Sequence, residues 1–297
     1  MSQVTCFNYS LRSAATATSV VLIVILGSHV LAGTGEGTIS SKGTWVAPGV
    51  EELPGLPMAP FVRIGDGSIL TVDTASSAMV SHDQGKTWKS RPIFDDTTRY
   101  AIRPERAILR TSNGVVILAF ANDKEKANWN WDAAISDSPD ARLPTYAVRS
   151  PDDGKTWEAP QKLHDAWTGA IRDMIQTDDR AVVFTSMMMQ HNPGRHSVVT
   201  YRSIDEGKSW QRSNVIDRGG IGHHAGVTEA TIEQLSDGRI WMLMRTNWKT
   251  FWEAYSGDQG LSWLSIGPTT IDASSAPSLL KRLASGRLIL VWNRYYP

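Results

Sequence analysis

One phrase, Ser-x-Asp-x-Gly-x-Thr/Ser-Trp, occurs four times in this chain. It runs from Ser81 through Asp83 and Gly85 to Trp88, from Ser150 through Asp152 and Gly154 to Trp157, from Ser203 through Asp205 and Gly207 to Trp210, and from Ser256 through Asp258 and Gly260 to Trp263. Each copy reads as a hairpin turn. The Ser and Asp side chains accept from turn amides, the Gly supplies a positive φ, and the Thr/Ser-Trp pair starts a strand whose indole packs between neighbouring sheets. Self-similarity at a period of roughly 50 residues is the mark of a propeller or solenoid array, so four copies in register predict repeated β-sheet modules.

Inner hairpins between the phrases fit the same module. Asp66-Gly67, Asn113-Gly114 and Asp237-Gly238 each separate two apolar runs, which is a strong hairpin signal. The third module has Asp178-Asp179-Arg180 in that place, a weaker turn. A fifth module starts at Ser278, turns at Ser285-Gly286 and reaches Pro297 after two strands without the phrase.

The phrase resembles the Asp-box of the sialidase (neuraminidase) superfamily, whose members fold as six-bladed β-propellers. The resemblance covers roughly residues 50 to 297 and implies an all-β fold: a sialidase-type six-bladed propeller, incomplete here, with about four blades and part of a fifth. The expected organisation is a signal peptide over 1–33, a linker or edge strand over 34–54 and the truncated propeller domain over 55–297. In that family the boxes lie on the rim, away from substrate, so their expected role is structural.

The N-terminus reads as a targeting segment. Arg12 precedes the apolar run Val20 to Leu26, and Val30-Leu31-Ala32 before Gly33 fits a signal-peptidase site. The run is short for a spanning helix, so export to the periplasm or cell exterior is expected, with an uncleaved anchor as the alternative. Cys6, the single cysteine, lies in this segment. With 30 basic and 30 acidic residues, charge gives no argument for nucleic acid or for a membrane beyond that segment.

Propellers place chemistry at the central channel, on the innermost strands. Glu229 starts one such strand and Arg245 ends its antiparallel neighbour, so the two ends meet. The resemblance implies Glu229 as the catalytic orienter or base and Arg245 as one of a triad of arginines gripping a substrate carboxylate bidentately. Arg106, Arg172 and Arg294 stand at similar positions in other modules and are further candidates for substrate binding. The family's first triad arginine is replaced by Leu56. His223 and His224, just upstream of Glu229, are candidate proton donors at the same mouth, and His224 is a further candidate for substrate binding. An insertion after Asn122 carries Trp129 and Trp131 as sugar-stacking candidates, and Asp132 as a candidate general acid whose flanking indoles would hold its proton near neutrality. No cluster has zinc-ligand spacing, and no metal or cofactor is expected. The family's tyrosine nucleophile comes late in the chain, and Tyr295-Tyr296 do not match its motif.

The expected function is an exported sialidase-like exo-glycosidase hydrolysing the bond of an acidic sugar, with an acidic glycan as partner and oligomeric state open. The rival readings are a carbohydrate-binding propeller without turnover and a polysaccharide lyase acting on uronate-containing glycans.

Overall fold

The computed structural model describes residues 38–39, 43, 45–47, 50, 53, 55–73 and 76–295. The segment 1–33 expected to be a signal peptide, with Cys6, most of the 34–54 stretch, and Tyr296 and Pro297 lie outside the described residues. The chain divides into two compact units, Met1–Leu56 and Pro57–Pro297. The first contains the short antiparallel pair β1 (Thr38–Ile39) and β2 (Trp45–Val46).

The second unit is a series of antiparallel sheets. Blade one is β3 (Val62–Arg63), β4 (Ile69–Val72), β5 (Ser77–Ser81) and β6 (Lys89–Pro92), and blade two is β7 (Ala107–Arg110), β8 (Val116–Ala121), β9 (Thr145–Ser150) and β10 (Gln161–His164). Blade three is β11 (Ile171–Gln176), β12 (Val182–Gln190), β13 (Arg195–Ser203) and β14 (Gln211–Arg212). Blade four is β15 (Thr228–Gln234), β16 (Ile240–Arg245), β17 (Thr250–Ser256) and β18 (Leu264–Asp272), followed by the pair β19 (Leu279–Arg282) and β20 (Leu288–Val291). Every strand pairs with its sequence neighbour, the up-and-down order of propeller blades. The innermost strands β3, β7, β11, β15 and β19 pack in succession, which lines up the starts of the modules.

Blade stacking explains the strand sequences. All six residues of β8 are buried: Val116, Leu118 and Phe120 face the cluster shared with blade one, while Ile117 and Ala119 face the cluster shared with blade three. A strand covered on both faces loses polar alternation and becomes a continuous apolar run. Three of the four box tryptophans join these seams, Trp157 between blades one and two, Trp210 between two and three, and Trp263 between three and four.

The box turns are identical in chemistry. In every copy the Ser hydroxyl donates to the Asp carboxylate at 2.8 Å and accepts from the Gly amide, and the Asp accepts from both the amide and the hydroxyl of the Thr/Ser. Gly154 has φ +80, and a Cβ there would lie 2.3 Å from Leu70 of the preceding blade. Turn conformation and close approach both demand glycine. In the inner hairpin of blade three the left-handed position falls to Arg180, with φ 66, where the other blades have glycine.

The Thr87 hydroxyl and amide, with the Ser81 hydroxyl, hold Asp83 down to about 2. An unfolded aspartate titrates near ~3.9, so this turn stabilises the fold above about pH 4, and the contribution is lost as pH falls toward 2. Thermal midpoints measured across that window should fall less steeply in Asp83→Asn than in the wild type.

Candidate functional site

A β-bulge creates the site. Thr228 pairs with Arg245, and the β15–β16 register then shifts before Thr231. In a regular ladder Glu229 would point to the opposite face from Arg245. The bulge, with Glu229 at φ +30, brings its carboxylate to the arginine instead. Arg245 Nη1 donates to Glu229 Oε2, and Arg172 Nη1, at the start of β11, lies 3.7 Å from Glu229 Oε1. The Glu229 side chain is 13% exposed and those of Arg245 and Arg172 are 25% and 32% exposed, so the carboxylate is enclosed while both guanidinium groups reach solvent.

Two edges of Arg245 are used differently. Nη1 is committed to Glu229, whereas among the described residues Nε and Nη2 meet only the Ser275 hydroxyl, at 3.4 and 3.3 Å. That second edge presents two parallel N–H donors, a fork that a carboxylate can take bidentately.

Glu229, Arg245 and Ser275 line a cleft of about 170 Å³. Its walls include Glu105, Trp129, Trp167, His196, His224 and Ser275. Trp129 stacks on Trp167 with centroids 4.3 Å apart and an interplanar angle of 27°. Trp167 is buried and Trp129 is 37% exposed, so the inner indole braces the outer one as a platform. The arm carrying Trp129 is anchored through Glu125, which accepts from Lys162 at 2.9 Å, Arg142 at 2.8 Å, Tyr146 at 2.5 Å and Asn122 at 3.0 Å. Burial raises the Glu125 pKa, but these donors outweigh it and hold the carboxyl at about 2.

Of the residues expected at the site, Glu229, Arg245, Trp129 and His224 line the cleft, Arg172 approaches it through Glu229, and four others lie elsewhere. Arg106 is 3% exposed and donates to the backbone carbonyls of Met58, Val72 and Pro104, so it fastens blade two to the chain of blade one. Asp132 lies in the exposed tip of the arm, where its backbone pairs with Asp137 and its carboxylate caps the Ala134 amide at 2.8 Å. Trp131 packs beneath the arm against the cluster of Ala121, Ala141, Leu143, Trp167 and Met189, and touches the His223 ring. Arg294 pairs with Asp272 at 2.8 Å. The sequence reading passed over Glu105, which lines the cleft beside Arg103 at 3.0 Å, and the buried His196. Glu105 and Arg106 lie in the irregular segment before β7, so no strand period says which of the two side chains faces the cleft.

Residues 73–296 match the BNR repeat-like domain family. The chain belongs to that family. No curated protein sequence matches this BNR repeat-like chain. Among solved structures it is similar to a protein of unknown function from Dyadobacter fermentans, with TM-score 0.58 and 16% identity over 79% of this chain and 76% of the other. It is also similar to the Trypanosoma rangeli sialidase in complex with 2,3-difluorosialic acid, with TM-score 0.54 and 14% identity over 86% of this chain and 45% of the sialidase. An α-L-arabinofuranosidase from Fusarium graminearum, bound to an iminosugar inhibitor, aligns with TM-score 0.54 and 14% identity over 80% of this chain and 75% of the enzyme. At these identities the likeness establishes the fold, a sialidase-like β-propeller architecture whose solved neighbours include glycoside hydrolases. Among the described residues no helix is long and apolar enough to cross a membrane, and no cluster of three or more His, Cys, Asp or Glu side chains could hold a metal ion.

Proposed function

We propose that the BNR repeat-like chain carries the substrate site of an exported, sialidase-like exo-glycosidase that hydrolyses the glycosidic bond of an acidic sugar. The observation that carries this reading is the convergence of Arg172 and Arg245 on Glu229 at the wall of a tryptophan-lined cleft, with the Nε/Nη2 edge of Arg245 held, among the described residues, only by Ser275. A substrate carboxylate would take that edge, the apolar face of the sugar would lie on Trp129, and the enclosed charge of Glu229 would oppose positive charge developing at the anomeric carbon.

A second reading, hydrolysis of a neutral glycoside, draws support from Leu56 at the family's first arginine position and from the commitment of Arg106 to backbone carbonyls. Sugar release from a fluorogenic sialoside, a uronide and an arabinofuranoside separates the two. Turnover of either acidic substrate above the neutral one supports the first reading, and the reverse order supports the second. An unsaturated product would instead mark a lyase, and binding without release a lectin-like propeller.

Trp129→Ala should raise KM for the preferred glycoside about tenfold, with kcat changed far less, because stacking acts on ground state and transition state alike. Initial-rate kinetics on the purified variant check this.

A further inference from the structure

The loop from Asp217 to Gly226 carries His223 and His224, and it is stitched firmly to blade three. His196 at the start of β13 donates its amide to the Ala225 carbonyl at 2.9 Å, Gly222 donates to the Gly194 carbonyl at 3.1 Å, and Arg195 holds Asp217 through two hydrogen bonds at 2.9 and 2.5 Å. The His196 ring adds a further tie. Its Nε2 sits 2.8 Å from the His223 carbonyl, which can only accept, so Nε2 bears the proton and the imidazole pins the backbone next to His224. Gly226, at φ +91, packs so tightly that a Cβ would fall 2.0 Å from the His196 carbonyl oxygen. His223 in turn sits between Trp131, at 5.6 Å, and His224, at 4.2 Å between ring centroids.

The outcome is an exposed imidazole held at the cleft wall. No hydrogen bond or ion pair among the described residues engages the nitrogens of His224. The other titratable groups of the cleft are committed: Glu229 to Arg245 and Arg172, Glu105 to Arg103, and His196 to the loop backbone.

We propose that His224 is the group that passes a proton to and from the glycosidic oxygen in this cleft. This rests on the glycosidase reading above. In the first half, the bond between the anomeric carbon and the leaving oxygen breaks, its electron pair stays on that oxygen, and the oxygen takes the proton of the His224 imidazolium. Water then adds to the anomeric carbon and returns a proton to the imidazole. The sum is glycoside plus water giving two free hydroxyl groups, with His224 regenerated.

The groups facing His224 are His223 on its own loop, His196 on β13, Glu229 on β15 and Arg245 on β16. Burial, His223 and Arg245 lower its pKa beneath the ordinary 6.5, and Glu229 opposes them. The imidazolium is therefore lost as pH rises through a value below 6.5, and the acid-dependent step slows with it.

The test compares the full chain with its His224→Gln variant on the methyl and dinitrophenyl glycosides of sialic acid, across pH. A methyl alkoxide needs a proton to leave, whereas a dinitrophenolate does not. The expected result is a loss of about 10²-fold on the methyl glycoside, a much smaller loss on the dinitrophenyl glycoside, and disappearance of the descending pH limb below 6.5. His224→Ala should regain methyl-glycoside cleavage when free imidazole is added. Equal losses on the two substrates, no loss on either, or an unchanged pH limb would overturn the role of His224. A wild-type protein that cleaves neither these sialosides nor the corresponding uronides would overturn the acidic-sugar reading itself and this role with it.

Discussion

On the proposed glycosidase function, Glu229→Gln is expected to lower kcat by about 10³-fold on the preferred acidic glycoside, while its KM falls rather than rises. The amide keeps the size of the carboxylate and still accepts from Arg245 Nη1, so the bulge and the cleft survive. It removes one negative charge between two guanidinium groups, which strengthens their attraction for an anionic substrate in the ground state. The same change removes the charge that opposes the developing cation at the anomeric carbon, so tighter binding and slower turnover appear together. Steady-state kinetics read both parameters, and an unchanged kcat would reduce Glu229 to a structural ion pair.

The reach of sequence reasoning follows from which interactions are local. The box turns close within eight residues of chain, each through its own Ser, Asp, Gly and Thr/Ser, so the repeated phrase is enough to write down the hydrogen bonds that the structure contains. The pairing of Glu229 with Arg245 was legible for a similar reason, because two adjacent antiparallel strands joined by Asp237-Gly238 return their ends to one place. The bulge that lets the side chains meet was not legible, since nothing in Thr228 to Thr231 marks an extra residue.

Non-local partners defeated the rest. Arg106 finds its acceptors in the Met58 and Val72 carbonyls, on the preceding blade, so a guanidinium that the sequence places toward the channel is spent between blades. Asp132 was read from its neighbouring indoles, but the backbone pairing with Asp137 turns it into the tip of an arm. Trp129 has its platform geometry only because Trp167, from a different loop, lies beneath it.

The largest stability effect is expected at Asp173. Its carboxylate accepts from Thr231 Oγ1 at 2.6 Å and the Ile232 amide at 2.9 Å, both on blade four, and from its neighbouring Met174 amide at 2.9 Å. Thr231 Oγ1 also accepts from the Leu280 amide at 3.0 Å, so one side chain ties β11 to β15 and, through a threonine, to β19. Burial pushes the Asp173 carboxyl up in pKa, against the pull of these donors. Asp173→Ala leaves three donors short of an acceptor at a blade seam and should cost about 3 kcal/mol, a fall in the thermal midpoint of roughly 6 to 12 °C. Asp173→Asn, which can keep one accepting oxygen, should lose less. Thermal unfolding of both variants checks the order, and equal midpoints for wild type and Asp173→Ala would refute the bridging role.

The most direct measurement is a crystal structure of the Glu229→Gln protein soaked with an acidic monosaccharide, sialic acid or a uronic acid. The account predicts the sugar carboxylate on the Nε and Nη2 edge of Arg245 with Ser275 displaced, Arg172 within ion-pair distance, and the ring face on Trp129. A sugar held elsewhere on the propeller, or one seated in the cleft with its carboxylate turned away from both arginines, would contradict it.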